Sequence, residues 1–352
     1  MKAKIAGIGY YVPERVVTNK ELEGIMDTTD AWIQERTGIQ ERRYGVPHVE
    51  TTTTMGARAA EKAMSDAGIT GADVDFIIFA TLSPDYYFPG CSVLMQRELK
   101  ITNCEAGALD IRNQCSGFIY GLSIADQFIK SGQYKNILLV GAEMHSMGLD
   151  FTTRGRNVSV IFGDGAGAVI LQPTEDENHS LINTVLHADG SYAEELAFIN
   201  PGSHGGHHSP ETDFGYEKKE YGGVFFTQKM WDEQWVFPTM NGQVVFKTAV
   251  QKFPEVILEG LQKAGLQTSD IQMLIPHQAN LRISQFIQRK LSLPDEKVWN
   301  NIQKYGNTTA ASIPIAMAEA YEAGKLNKGD LICMAAFGSG FTWGSALMRW
   351  AK

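Results

Sequence analysis

Apolar runs of strand length alternate with amphipathic stretches of helix length along most of the chain. "VDFIIFAT" (74–81) and "NILLVGAEM" (136–144) are continuous apolar runs, the pattern of strands that a sheet buries on both faces. "TTMGARAAEKAMSDAG" (53–68) is rich in helix formers and ends in glycine, and "SGFIYGLSIADQFIKSG" (116–132) is a second helical stretch that ends in the same way. This alternation predicts an α/β fold.

Two pairs of segments show that the chain repeats itself weakly. Segment 63–81, "AMSDAGITGADVDFIIFAT", resembles segment 260–278, "GLQKAGLQTSDIQMLIPHQ". Each contains the end of a helix, an Ala-Gly pair, an aspartate and an apolar strand. "FGDGAGAVIL" begins at Phe162 and "FGSGFTWGSAL" at Phe337, close to half the chain length later. Helix–strand units always resemble one another somewhat, but two pairs at long spacing favour a duplicated architecture.

The two duplicated halves are predicted as residues 1–175 and 176–352. "KIAGIGYYV" (4–12) predicts the first strand, and "VSVIFGDGAGAVIL" (158–171) predicts another near the end of the first half. The region from Glu195 to Pro238 breaks the pattern, because it is rich in Gly, His, Tyr and acidic residues and has little periodicity. A loop of this length in a compact protein is usually functional or mobile.

Length, composition, net charge and cysteine pattern limit the classes of protein to which the chain can belong. With 352 residues, the chain suits two domains or one large duplicated domain, and 43% hydrophobic residues leave ample material for a core. Its 40 acidic and 31 basic residues give a net charge of −9, which disfavours nucleic acid and anionic membranes as partners. No signal peptide or membrane span is visible. The four cysteines form no C-x-x-C pair, so we expect a reduced, cytoplasmic protein.

One cluster of residues in the irregular region could bind a metal ion. It consists of His204, His207 and His208, three histidines within five residues. No acidic or cysteine ligand accompanies them at a fixed spacing, so we predict no metal site.

Cys115 lies between an apolar strand, "EAGALDIRNQ" (105–114), and a helical stretch. Unpaired N–H groups and the helix dipole at such a turn would stabilise a thiolate, and the same N–H groups could hold an oxyanion. A free cysteine more often packs as a small hydrophobic residue, so Cys115 alone leaves both roles open. Cys91, Cys104 and Cys333 have no such setting and are predicted to be core residues.

Two further residues lie at similar element boundaries. His277, in "MLIPHQANLRI", follows an apolar strand, at the end where α/β sheets place ligand chemistry. Asn307, in "KYGNTTAASIPIAMAEA", precedes a helix, where asparagine is commonly a plain cap. Each residue alone has an ordinary structural explanation. Together with Cys115, the imidazole and the amide form a set suited to thioester chemistry.

Several motifs in a fixed order resemble the thiolase-superfamily condensing enzymes, most closely the 3-oxoacyl-acyl-carrier-protein synthase III family. The motifs are "TTDAWIQERTGIQERR", "FPGCSVLMQREL", "FGDGAGAVIL", "PHQANLRI", "GNTTAAS" and "FGSGFTWGSAL", and they span nearly the full chain. The resemblance implies a duplicated thiolase-like fold with five α/β/α/β/α layers. It also implies a homodimeric acyltransferase of fatty acid or related specialised biosynthesis that has no tightly bound cofactor.

The activity implied by the resemblance is a decarboxylative Claisen condensation. Cys115 would take the acyl group from an acyl-CoA primer. His277 and Asn307 would bind the thioester carbonyl of malonyl-acyl-carrier-protein, and the carbanion left by decarboxylation would attack the acyl-cysteine. An enolate oxygen needs hydrogen-bond donors, and a neutral histidine and an amide supply two. The backbone N–H groups of Cys115 and Ser339 would hold the tetrahedral oxyanion.

The resemblance also implies binding residues. Those matching coenzyme A positions are Trp32, Arg36, Arg156 and Gln243, and Phe88 matches a phenylalanine that reaches into the partner subunit's pocket. Carrier protein is acidic, so an acidic enzyme needs a basic patch to meet it. Ile283, Ile287 and Leu291 repeat every four residues and predict a buried helix stripe. The exposed cations predicted to form the patch are Lys247, Arg282, Arg289 and Lys290.

Four features depart from the family pattern. Residues 112–114, Arg-Asn-Gln, replace an alanine-rich approach to the cysteine, Ser339 replaces a glycine, and Gln243 replaces an asparagine. The segment 195–238 is also longer. These departures leave the acyl primer open. An acyltransferase or polyketide-type synthase that uses other acyl donors is the alternative, and retention of all three reactive residues argues against a non-catalytic scaffold.

Overall fold

The computed structural model of the protein describes residues 1–101, 105–204, 215 and 225–352. Its strands are β1 (Lys2–Tyr11), β2 (Val16–Thr18), β3 (Glu41–Arg43), β4 (Phe76–Ala80), β5 (Gly107–Ile111), β6 (Ile137–Glu143), β7 (Gly165–Thr174), β8 (Leu181–Ala188), β9 (Leu196–Ala197), β10 (Thr239–Met240), β11 (Met273–Pro276), β12 (Leu331–Gly338) and β13 (Thr342–Arg349). Its helices are α1 (Asn19–Glu23), α2 (Asp30–Thr37), α3 (Thr52–Ala67), α4 (Cys91–Glu98), α5 (Gly117–Lys130), α6 (Arg156–Ser159), α7 (Gln228–Asp232), α8 (Gly242–Ala264), α9 (Leu281–Lys290), α10 (Ile302–Tyr305) and α11 (Ser312–Glu322).

Two mixed sheets form the framework. The first has the strand order β1-β7-β6-β4-β5 and the second the order β8-β13-β12-β11. In the first sheet β4, β5 and β6 are parallel, while β7 is antiparallel to both of its neighbours. In the second sheet β11 and β12 are parallel, and β13 is again antiparallel to both neighbours. The two sheets therefore repeat one strand pattern.

Helices separate and cover the sheets, which gives five layers. α3 packs on the outer face of the first sheet, α5 and α11 lie between the sheets, and α8 covers the outer face of the second sheet. A helix between two sheets must be apolar on more than one side. The α5 residues Phe118, Ile119, Leu122 and Ile129 meet that need and are completely buried.

The internal repeat extends to the turns. α3 and α8 each end at a glycine with positive φ, Gly68 at 70° and Gly265 at 68°. The left-handed region suits glycine and closes each helix. Each glycine leads through a short 3₁₀ turn, Gly71–Asp73 or Thr268–Asp270, into a buried strand, β4 or β11. The similar segments of the sequence thus build the same unit in both halves.

One strand begins later than the sequence predicts. The apolar pattern predicts a strand over 158–171, but β7 begins at Gly165 and the preceding residues include α6. The Asp164 carboxylate accepts backbone N–H groups of Gly45 and Ser146, at 2.8 and 3.0 Å. These hydrogen bonds to the Asp164 side chain hold the backbone around it in a turn, so that this segment does not pair as a β-strand.

The carboxyl ends of strands from both sheets meet in the middle of the molecule. Cys115 follows β5, His277 follows β11 and Ser339 follows β12. A parallel β-bridge to Phe162, which lies just before β7, positions Asn307 in the same region. Among the described residues, no helix has the length and apolar character required to cross a membrane.

Candidate active site

A cavity of about 1600 Å³ extends from exposed side chains on α2, α8 and α9 to the buried Cys115. The predicted site residues that line it are Trp32, Arg36, Cys115, Gln243, His277, Arg282, Asn307 and Ser339. Two of the residues that depart from the family pattern, Arg112 and Gln114, also line it. The predicted residues that do not line it are Phe88, Arg156, Lys247, Arg289 and Lys290.

The turn that carries Cys115 is fixed from both sides. A 3₁₀ turn, Gln114–Ser116, joins the end of β5 to α5, and Gln114 adopts a φ of 44° in the left-handed region. The Ser116 hydroxyl donates to the Asn113 carbonyl at 3.0 Å and lies 2.7 Å from the Thr342 hydroxyl on β13. Cys115 itself is only 5% exposed.

The second half of the chain packs directly on the cysteine at Gly338. A Cβ at this glycine would lie 2.6 Å from the Cβ of Cys115 and 3.0 Å from its Sγ. Any side chain at position 338 would therefore displace the cysteine. The close approach also brings the next residue, Ser339, to the sulfur.

The surroundings of Cys115 favour its neutral thiol. Burial disfavours the thiolate and, together with the nearby Glu143 carboxylate, raises the pKa of Cys115 to about 12. The backbone N–H groups of Cys115 and Ser339 lower this pKa but do not offset burial. Burial therefore opposes the thiolate that the helix terminus is expected to stabilise, and a reactive thiolate at Cys115 stays a prediction. The two N–H groups at the sulfur are the pair predicted to hold the oxyanion.

His277 is held as a neutral imidazole with one free nitrogen. Its backbone N–H donates to the Ala335 carbonyl at 2.8 Å, and its Nδ1 lies 2.6 Å from the Ser312 Oγ. Ser312 Oγ already accepts the Gln278 N–H, so its own hydrogen is available to Nδ1. Nε2 then carries the hydrogen, and it is buried without a partner in the part of the chain that is described. Burial lowers the pKa of His277 to about 3.

Asn307 uses its backbone and its amide oxygen for structure. Its N–H donates to the Ile161 carbonyl at 2.9 Å, and its carbonyl accepts the Gly163 N–H at 3.1 Å. The amide Oδ1 accepts the Thr309 N–H at 2.8 Å, at the residue where a short 3₁₀ turn begins. The amide nitrogen is the donor left for a ligand in the cavity.

Ser339 connects the reactive cysteine to the irregular region of the sequence. Its hydroxyl donates to the carbonyl of Leu196, the first residue of β9. β9 pairs with β10, so the two ends of the irregular region lie side by side. A glycine at position 339 could not make this bond. The substitution thus anchors the loop beside Cys115 to that region.

An aromatic ring and two cations mark the outer end of the cavity. The guanidinium carbons of Arg36 and Arg156 lie 4.6 and 5.5 Å from the centroid of the Trp32 ring. Arg156 also donates to the Asp27 carbonyl at 2.6 Å. A flat aromatic face beside guanidinium groups suits a base with attached phosphates. Gln243 lies exposed at the start of α8 on the same cavity.

Helix α9 buries the stripe that its spacing predicts. Ile283, Ile287 and Leu291 are 6%, 0% and 3% exposed. Arg282 lines the cavity and lies 5.7 Å from the Phe246 ring on α8. Lys247 on α8 and Arg282, Arg289 and Lys290 on α9 are exposed cations and are here called the basic patch. The exposed Lys263, at the far end of α8, pairs with Glu259 and is not counted in the patch.

Three exposed aromatic residues project beside the cavity. Tyr86, Tyr87 and Phe88, here called the aromatic patch, are 52%, 67% and 80% exposed. Tyr86 and Tyr87 also line the cavity. β5, which follows later in the same half of the chain, is the edge strand of the first sheet, and its Leu109 is exposed. Large exposed aromatic surfaces commonly mark an interface.

Four polar residues of the site were not found from the sequence. They are Glu143, His145, Thr309 and Ser312, and all four are buried. Glu143 acts on Cys115, Thr309 on Asn307 and Ser312 on His277, whereas His145 contacts Thr309. Glu143 ends the apolar run of β6, and a charged residue that ends such a run is the one signal that could have indicated it. His145 and Ser312 have no sequence signal because they bond to Thr309 and His277, which lie 164 and 35 residues away along the chain. Thr309 has none because the contact of its backbone N–H with Asn307 does not depend on its side chain.

The cysteine and histidine predictions have mixed outcomes. Cys91 and Cys333 are completely buried, as expected of core residues, whereas Cys104 lies outside the described residues. His204 Nε2 lies 3.2 Å from the Ile199 carbonyl. His207 and His208 lie outside the described residues, so the predicted absence of a metal site stays a prediction.

Comparison with known proteins finds one family along the whole chain. The family model described as 3-oxoacyl-[acyl-carrier-protein (ACP)] synthase III matches residues 109–190, and its C-terminal counterpart matches residues 261–350. The β-ketoacyl-[acyl-carrier-protein] synthase III of Aquifex aeolicus is 43% identical over 350 residues, which cover 99% of this chain and all of that protein.

Solved structures extend the similarity to the fold. The crystal structure of 3-oxoacyl-[acyl-carrier-protein] synthase III from Aquifex aeolicus matches with a TM-score of 0.85 and covers 99% of this chain and 100% of its own. The priming β-ketosynthase of the R1128 polyketide pathway matches at 0.84 with 29% identity and covers 99% of this chain and 96% of its own. The predicted thiolase-like α/β fold is confirmed.

Proposed function

Because the chain belongs to the 3-oxoacyl-[acyl-carrier-protein] synthase III family, we propose that it condenses an acyl-CoA primer with malonyl-acyl-carrier-protein by way of an acyl group on Cys115. The product is a 3-oxoacyl thioester for fatty acid or related specialised biosynthesis in the cytoplasm. The enzyme class is acyltransferase. The chemistry needs no tightly bound cofactor, because side chains and backbone groups of this chain supply every donor and the nucleophile.

The first half-reaction is transfer of the acyl group to sulfur. Acyl-CoA enters past Trp32 and places its thioester carbonyl carbon at Cys115 Sγ. A carbon–sulfur bond to Cys115 forms while the bond to the coenzyme A sulfur breaks, and the thiol hydrogen ends on coenzyme A. The N–H groups of Cys115 and Ser339, which already face the sulfur, stabilise the oxyanion of the tetrahedral intermediate.

The second half-reaction makes the new carbon–carbon bond. The malonyl thioester carbonyl accepts hydrogen bonds from His277 Nε2 and the Asn307 amide, and its carboxylate leaves as carbon dioxide. The electron pair of the broken bond becomes the enolate, whose carbon attacks the acyl carbonyl on Cys115. The Cys115–acyl bond then breaks, and the sulfur takes up a proton. A neutral imidazole fits this role because its Nε2–H donates a hydrogen bond to the enolate oxygen and is too weak an acid to protonate the carbanion.

The observation that carries the proposal is the buried Nε2 of His277, which has no hydrogen-bond partner among the described residues and shares a cavity with Cys115 and Asn307. A donor that is desolvated without a partner is costly, and a substrate oxygen would satisfy it. The test incubates the protein with a panel of acyl-CoA primers and malonyl-acyl-carrier-protein, and analyses the carrier protein by mass spectrometry. A 3-oxoacyl adduct with release of coenzyme A and carbon dioxide is expected. Failure with every primer would overturn the proposal.

A second candidate function is priming or acyl transfer in a polyketide-type pathway. The full-length match to the R1128 priming β-ketosynthase favours it, as do the polar Arg112 and Gln114 in the cavity beside Cys115. The same assay separates the two functions. Transfer of the loaded acyl group to an acceptor in the absence of malonyl-acyl-carrier-protein, or condensation with malonyl-CoA alone, would favour the second.

The basic patch supports carrier protein as the partner. Four exposed cations lie on two helices that border the cavity, although the whole chain has a charge of −9. A local basic surface on an acidic protein attracts an acidic partner and raises the association rate more than the turnover rate.

Reversing charge in the basic patch should raise KM for malonyl-acyl-carrier-protein. In the double variant Arg289→Glu/Lys290→Glu, we expect an increase of about tenfold, because each lost charge pair is worth on the order of 0.5–1 kcal/mol at an exposed site. KM for acyl-CoA and kcat should remain close to wild type. The measurement is steady-state kinetics at low and high salt, with Lys325→Glu, an exposed lysine outside the patch, as the matched control. An equal increase in the control would contradict the assignment.

The aromatic patch and the β5 edge support a homodimer. Phe88 is 80% exposed, which is unusual for a phenylalanine in a single chain, and by the family resemblance it would enter the partner's cavity. We therefore expect a dimeric mass by light scattering, and we expect Phe88→Asp to shift the mass toward the monomer. A wild-type protein that is monomeric at micromolar concentration would contradict this.

A further inference from the structure

We propose that Thr309 is a positioning residue for condensation, which holds the Asn307 amide in its productive orientation through a buried hydrogen-bonded chain with His145 and Glu143. The inference rests on the proposed function, because it assigns a purpose to the Asn307 amide. Thr309 itself would touch no reacting atom. Its role is to fix the direction in which the Asn307 donor points.

The first link joins Thr309 to the amide. The Thr309 N–H donates to the Asn307 Oδ1 at 2.8 Å. An amide group is planar, so a fixed oxygen fixes the opposite NH₂ group. The backbone of Asn307 is held separately by Ile161 and Gly163. Loss of the Thr309 contact would therefore free the side chain without moving the main chain.

The second link holds Thr309 in a conformation that threonine rarely adopts. Its φ is 42°, in the left-handed region, which is disfavoured for a β-branched residue. Such a residue persists only where its surroundings hold it. Thr309 is 1% exposed, and its Oγ1 lies 3.0 Å from the Nε2 of His145.

The third link determines the direction of the hydrogen bonds and fixes the residue at which they end. The Thr309 hydroxyl also interacts with the buried Glu143 carboxyl: burial raises the pKa of Glu143 to about 7, and this interaction opposes the rise and favours the carboxylate. With Glu143 ionised, the Thr309 hydroxyl donates to the carboxylate and accepts from its other neighbour, so that His145 Nε2 carries a hydrogen and donates to Thr309. Glu143 is in turn fixed by N–H groups of Leu82 and Ser83 and by two hydroxyls. The chain His145 to Thr309 to Glu143 thus ends on a rigid acceptor.

The test compares Thr309→Val with Thr309→Ser. Valine keeps the shape and the β-branch but removes the hydroxyl, whereas serine keeps the hydroxyl. For Thr309→Val we expect kcat for decarboxylation of malonyl-acyl-carrier-protein to fall about 10- to 100-fold, because a small misplacement of a donor has an effect of this size. Loading of the acyl group on Cys115 and KM for acyl-CoA should stay within about twofold of wild type. Thr309→Ser should recover most of the rate.

Two outcomes would overturn the inference. One is a wild-type decarboxylation rate in Thr309→Val, and the other is an equal loss of acyl loading and decarboxylation, which would indicate general damage to the site. If Thr309→Val does not fold, His145→Leu and His145→Gln provide the same comparison, because only glutamine can donate to the Thr309 hydroxyl. Restoration by leucine as well as by glutamine would also overturn it. A wild-type protein that forms no 3-oxoacyl product would instead refute the proposed function.

Discussion

Cys115→Ala is expected to abolish acyl loading and to lower the condensation rate by at least about a thousandfold, because no other group in the cavity can replace a thiol nucleophile. Intact-protein mass spectrometry after mixing with an acyl-CoA should show no adduct. Decarboxylation of malonyl-acyl-carrier-protein should persist, since His277 and Asn307 remain in place. The variant should fold normally, because the lost sulfur lines a cavity and leaves no new void in the core.

Cys333→Ala is the matched control for this variant. Cys333 is completely buried in the second sheet, and burial raises the pKa of its thiol to about 12, as it does for Cys115. It lies in the middle of β12 and does not line the cavity. The control should therefore load acyl groups at the wild-type level. An adduct that survives in Cys115→Ala, or that disappears in Cys333→Ala, would place the nucleophile elsewhere.

His277→Ala is expected to show the opposite division of activities. Acyl loading should remain, while decarboxylation and condensation should fall about 100- to 1000-fold, the usual cost of removing one donor to a developing oxyanion. Asn307→Ala should show the same division. The measurements are the acyl adduct on Cys115 and carbon dioxide release. The matched control is His187→Ala, which removes a partly exposed imidazole paired with Glu259 on the surface.

The pH dependence of this step follows from the state of His277. Burial lowers its pKa to about 3, so the imidazole stays neutral in the folded protein. The decarboxylation rate should therefore show no histidine titration between about pH 5 and pH 8. The free energy of unfolding, unlike the decarboxylation rate, is expected to depend on pH through His277. Below about pH 6.5 the unfolded chain binds a proton at this histidine and the folded chain does not, so the free energy of unfolding decreases as the pH falls.

For the His277→Ala variant itself, loss of acyl loading on Cys115 would contradict the role assigned to His277.

The elements of the fold were largely predictable because they depend on local pattern. The continuous apolar run of β6 and the glycine that closes α3 are both where the sequence places them. β7 was predicted to start too early, because the apolar pattern continues through Asp164, whose side chain turns the chain. A local pattern does not reveal a bond between residues far apart in sequence.

The candidate active site depends even more on contacts between distant residues, which a local sequence pattern does not reveal. Cys115, His277 and Asn307 lie at element boundaries, so their positions could be found in the sequence. Their ionisation could not, because the pKa of Cys115 is governed by burial and by a carboxylate on another strand. Thr309 was also hidden, since its unusual φ has no signature in the letters "GNTTAAS".

The two sheets repeat one pattern except at a single place. In the first half β5 is a full strand that ends three residues before the turn of Cys115, whereas the corresponding position in the second half is only an isolated bridge between Leu274 and Val298. The chain that follows this bridge is free of the sheet and carries Asn307. The two halves thus present different groups from corresponding positions, Cys115 after a paired strand and Asn307 after an unpaired segment. Because the two groups come from separate turns, substitutions around one turn are expected to leave the other turn in place.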